Sequence, residues 1–81
     1  MKEVKVTISG LNNTGKSRIT YLIKEMLKVH DFNVEFNTTP DFLNEGEFNK
    51  HMRRNFDEAI SAIASQTKIV VEEKQLPISN F

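Results

Sequence analysis

The stretch Gly10-Leu11-Asn12-Asn13-Thr14-Gly15-Lys16-Ser17 holds the residues best equipped for chemistry in this chain. Gly10 and Gly15 permit backbone angles and a close approach that a Cβ would block. Asn12 and Asn13 are the next most tolerant of left-handed geometry. A helix starting at Lys16 would offer first-turn N–H groups with no intrahelical partner, and its dipole would favour an anion there. Lys16 can reach the β- and γ-phosphates of a nucleotide, and Ser17 Oγ can hold Mg2+. The chemistry these residue types suit is the cradling of a polyphosphate.

The flanking residues must position that loop. Val4, Val6 and Ile8 alternate with Lys5, Thr7 and Ser9, the period-two pattern of a strand with one apolar face. From Lys16 the period changes. Ile19, Leu22, Ile23, Met26 and Leu27 form one helical stripe, with Arg18, Lys24, Glu25 and Lys28 on the other face. This helix is expected to end near Val29–Asp31. Phe32, Val34 and Phe36 predict a second short strand, broken by Thr38-Thr39-Pro40-Asp41. Phe48, Met52, Phe56, Ala59, Ile60 and Ile63 predict one helix over Glu47–Ser65, and Ile69-Val70-Val71 predicts a strand covered on both faces. The reading is a single α/β domain over residues 1–81, with β-α-β-α-β order and a three-stranded parallel sheet. Strand order 2-3-1, with the helices on opposite faces, is favoured; order 1-2-3 with both helices on one face stays open.

The loop in this setting resembles the phosphate-binding loop of the P-loop NTPase superfamily, the Walker A motif. The likeness covers the first strand, loop and first helix, and beyond Asp31 only the order of elements. The whole is similar to very short P-loop proteins among phage-encoded products of unassigned role. The resemblance implies that the backbone from Asn12 through Thr14, Gly15, Lys16 and Ser17 to Arg18 wraps the β-phosphate, with Gly10 opening the loop. It implies that Lys16 neutralises phosphate charge and Ser17 binds the metal. It also implies an acid after an apolar strand that acts on Mg2+ or its water. The candidates are Glu72 and Glu73, of which Glu72 is preferred. The implied ligand is ATP or another NTP with Mg2+, and the implied activity, if any, is that of a slow NTPase or small-molecule-kinase-like phosphotransferase.

Other signatures do not follow. No Asp-x-x-Gly segment is present, and Asn49-Lys50-His51-Met52 lacks the acid of a guanine-reading motif. No arginine-bearing lid is expected; Arg53 and Arg54 read as a solvated helix face, with a transition-state role as the alternative. Asp41 reads as a helix cap, with an acceptor or metal contact as the alternative. His30 and His51 lack metal-ligand spacing. The 11 basic and 11 acidic residues balance, so no global pull toward nucleic acid or an anionic membrane is expected. No cysteine, signal-peptide block or membrane-length apolar run is seen, and a soluble cytoplasmic protein is expected, in the host cytoplasm if phage-encoded. Phe32, Phe36, Phe48 and Phe56 are expected in the core. Phe42 and the apolar tail of Leu76, Pro77, Ile78 and Phe81 are expected against the body, a second copy or a larger partner. The alternative to nucleotide chemistry is thus a non-catalytic binding or regulatory module.

Overall fold

The structure, a computed structural model, describes residues 2–11 and 15–75. Among them are three helices and no strand: α1 (Lys16–Val29), α2 (Glu45–Arg53) and α3 (Phe56–Gln66). The expected α/β fold with its parallel sheet is therefore overturned. Alternation marks residues fit for a strand, but a sheet also needs partners for the backbone groups and a cover for the apolar face. Among the described residues none of the three expected strand segments has a partner strand, and Val4, Val6, Phe32, Ile69, Val70 and Val71 are all exposed. The tail expected to pack, Leu76 to Phe81, lies outside the described residues.

Burial comes from helix on helix instead. Phe48, 2% exposed, is the centre of the core, with Ile19 and Met52 beside it. Phe36 packs against it with tilted rings at a centroid separation of 4.7 Å, and Phe42 meets it edge-on at 5.1 Å. Tyr21 lies 6.4 Å from Phe48 and 5.5 Å from Phe56. Phe42 thus joins the core, while Phe32, expected there, is exposed.

With no sheet beneath it, α1 turns a different face inward. Leu22 and Met26 of the expected stripe are exposed, and Lys24, expected in solvent, is 3% exposed. Its ammonium donates to Asn49 Oδ1 at 2.8 Å, Glu45 Oε2 at 3.0 Å and Glu25 Oε1 at 3.2 Å. It also lies 5.3 Å and 5.5 Å from the ring centres of Tyr21 and Phe36, within the range of cation–π attraction. Lys28 Nζ reaches the same Glu45 oxygen at 2.7 Å. At the other end of α1, the Arg18 guanidinium donates to the carbonyls of Met52 and Arg54. Early α1 therefore meets late α2, and late α1 meets early α2, so the two helices run antiparallel.

The single helix expected over 47–65 is two. Asn44 caps α2, accepting from Glu47 N–H at 2.9 Å. Asp41, the expected cap, accepts from Thr39 Oγ1 instead. The break falls at Arg54 and Asn55, where Asn55 takes φ 48°, ψ 41°. Asparagine tolerates this left-handed geometry better than most residues, and Arg18 satisfies carbonyls freed at the corner.

Replacing Phe48 by Ala should cost about 3–5 kcal/mol, and Phe32→Ala no more than about 0.5 kcal/mol. Urea unfolding followed by circular dichroism separates the two, and equal losses would dismiss this core. The Glu45 cluster gives a pH signature. Hydrogen bonds from Lys28 and then Lys24 hold the Glu45 carboxyl below its ordinary 4.5. A depressed carboxyl stabilises the fold above pH 4.5 and stops doing so as pH falls through its folded value. The same Glu45 hydrogen bond raises Lys28 above 10.5, so its contribution is present below that pH and lost as pH rises through the folded value. Both groups are more than one-third exposed, which limits the effect to about 1 kcal/mol. In Glu45→Gln the acid-side fall of the urea midpoint should flatten; an unchanged pH profile would count against the cluster.

Candidate functional site

The loop ends where α1 begins, and Gly15 makes the junction. It takes φ 82°, ψ 16°, the left-handed region, where any Cβ is strained. A Cβ there would also lie 2.6–3.0 Å from three side-chain carbons of Ile63 on α3. Gly15 is therefore required by the helix packing as well as by the turn.

The start of α1 is electrostatically bare. Among the described residues no side chain caps it, and its first turn holds no acid. By contrast, α2 has the Asn44 cap with Glu45 and Glu47, and α3 has Asp57 and Glu58 in its first turn. Among the described residues, the first backbone bond into α1 runs from Ile19 N–H to Gly15 O at 3.1 Å. The amides of Lys16, Ser17 and Arg18 come before it, and none is bonded to another described residue. Three N–H groups thus sit at the positive end of a helix dipole.

Lys16 Nζ folds back onto Gly10 O at 3.1 Å. This bond brings together the two ends of the motif. Thr20 Oγ1 donates to Lys16 O at 2.8 Å. Ser17 is half-buried in the first turn, and its hydroxyl makes no hydrogen bond to another described residue. The Arg18 amide is at the loop, but its guanidinium serves the α2–α3 corner at Met52 and Arg54. Asn12, Asn13 and Thr14, expected to complete the cradle, lie outside the described residues.

Glu72 does not join this group. Its carboxylate is exposed and lies 3.9 Å from Lys74 Nζ, and no ion pair or hydrogen bond links it to Lys16 or Ser17. Glu73 is exposed as well. Among the described residues, no cluster of three or more His, Asp or Glu is placed to hold a metal. Of the two arginines read as a solvated face, Arg53 donates from Nε to Tyr21 Oη at 3.0 Å. That bond raises its pKa further. A shallow surface recess at the α2–α3 corner, lined by Arg53, Asn55, Phe56, Asp57 and Glu58, is separate from the loop.

Sequence reasoning missed the structural duty of the Arg18 side chain and the burial of Lys24. The Lys24 signal was faint: Tyr21 one turn earlier on the same helix, and an acid-amide pair, Glu45 and Asn49, spaced one turn apart. No family profile, curated protein or solved structure matches the chain. Among the described residues, no helix is long and apolar enough to cross a membrane.

Gly15→Ala should destabilise the protein by about 1–3 kcal/mol through backbone strain and the Ile63 clash. In a double-mutant cycle with Ile63→Ala, a favourable coupling of about 0.5–2 kcal/mol is expected. Strict additivity would mean that the two helices do not meet at Gly15.

Proposed function

We propose that the chain binds the polyphosphate of ATP or another nucleoside triphosphate, with Mg2+, at the loop before α1. The observation that carries the reading is the bare first turn: amides of Lys16, Ser17 and Arg18 not bonded to another described residue, no side-chain cap among the described residues and no acid in the first turn, and Lys16 held over Gly10. These groups have the polarity a phosphate needs. In this reading the amides take phosphate oxygens, and Lys16 exchanges the Gly10 carbonyl for a phosphate. Ser17 Oγ is the metal contact from this chain. Gly10, Asn12, Asn13, Thr14 and Gly15 supply the rest of the loop, as in the P-loop resemblance. We place the protein in the cytoplasm, a reading supported by a chain without cysteine.

A second reading is binding without turnover, in a regulatory module that docks on a larger protein. The exposure of Glu72 and its pairing with Lys74 favour it over catalysis, since no bond or ion pair brings this acid to Ser17. Titration calorimetry with ATP, GTP and dNTPs plus Mg2+, on wild type and Lys16→Ala, tests binding. Heat from the wild type and at least about a tenfold weaker Kd for Lys16→Ala are expected for loss of a charge-assisted contact. Equal heats from both proteins, or none from either, would end the proposal. Phosphate release in the same samples separates turnover from binding alone.

A further inference from the structure

The segment after α3 carries an unused interaction pattern. It reads Lys68-Ile69-Val70-Val71-Glu72. Ile69 is 55%, Val70 73% and Val71 92% exposed. Among the described residues, no backbone group from 68 to 75 is hydrogen-bonded. Among the described residues, the polar contact on this stretch is the long, exposed pair of Glu72 with Lys74. Apolar β-branched side chains on an unpaired backbone are what a second strand covers.

The charges say which strand. The pattern is complementary to itself when reversed about Val70: Lys68 then faces Glu72, Ile69 faces Val71, and Val70 faces its own copy. We infer that residues 68–72 pair antiparallel with the same residues of a second copy of this chain, with Val70 on the two-fold axis. Directly opposed residues in such a pair point to the same face. One face carries Val70 and its symmetry mate, flanked by two Lys68–Glu72 ion pairs. The other carries Ile69 and Val71 from both copies as one apolar patch. Neighbouring registers fail. A shift that opposes Lys68 to Val71 leaves both charges facing uncharged partners, and a shift that opposes Lys68 to Glu73 places Ile69 against Glu72. Parallel pairing in register sets Lys68 against Lys68 and Glu72 against Glu72, which is repulsive. The interaction is isologous and closes at two copies. It involves no residue of the loop before α1, so it stands or falls separately from nucleotide binding.

Sedimentation equilibrium over a concentration series tests it, with circular dichroism confirming that each variant keeps its helices. Wild type should show a reversible monomer–dimer equilibrium. Lys68→Glu and Glu72→Lys each turn two attractive pairs into two repulsive ones, and each should weaken the dimer at least about tenfold. The double variant Lys68→Glu/Glu72→Lys restores opposite charges and should return the dimer to near its wild-type affinity. Val70→Asp sets two carboxylates across the axis and should abolish the dimer. A wild-type monomer at every concentration, with this segment then left to a different protein, would overturn the inference. So would a dimer indifferent to either reversal, or one that the double variant does not restore.

Discussion

A lysine ammonium withdrawn from water fixes how this protein is assembled. Lys24 is buried to within a few per cent, and removing an ion from water costs several kcal/mol unless its hydrogen bonds are met. An ammonium has three N–H donors, and Lys24 finds three oxygens, on Glu25, Glu45 and Asn49. Glu45 and Asn49 are one turn apart on α2, so only one rotation and one axial position of that helix present both. The Tyr21 and Phe36 rings close the remaining sides. That same position puts Phe48 under the rings of Phe36 and Phe42, and the end of α2 against Arg18. The polar cluster sets the register, and the aromatic core supplies the burial.

The helices were legible where the pattern was local. The start of α1 at Lys16 and its end at Val29 follow from the period change after the loop and the stripe that follows. Phe48 and Met52 were legible as core from their spacing. What was not legible depended on partners far along the chain. Period two in residues 4–8 and 32–36 names no partner strand, and none forms among the described residues. The apolar stripe of α1 assumed a sheet to lie on. Without it, Leu22 and Met26 face out and Lys24 faces in. The break at Asn55 was hidden because Phe56, Ala59 and Ile63 continue the spacing of Phe48 and Met52. Only the left-handed backbone at Asn55 and the Arg18 bonds to the corner reveal it.

The loop shows the same division. Its glycine before the helix was expected for a phosphate turn, and Gly15 does take a left-handed conformation. Its nearest constraint, however, is Ile63, a contact between α1 and α3 that no local motif encodes. Lys16 and Gly10 were expected in one site, and a hydrogen bond joins them. Glu72 was expected beside them on the logic of a parallel sheet. With no sheet to bring the ends of strands to one edge, Glu72 has nothing to carry it there.

Arg18 ties two places together through one side chain. Its backbone belongs to the first turn of α1, one residue from Ser17, while its guanidinium grips carbonyls 34 and 36 residues further along the chain. The guanidinium is a rigid plane, so it transmits displacement more faithfully than a lysine would. The entrance of α1 and the bend between α2 and α3 therefore behave as one hinge plate. Whatever pulls the first turn of α1 toward the loop also pulls on the peptide planes at the bend, and whatever straightens the bend disturbs the loop.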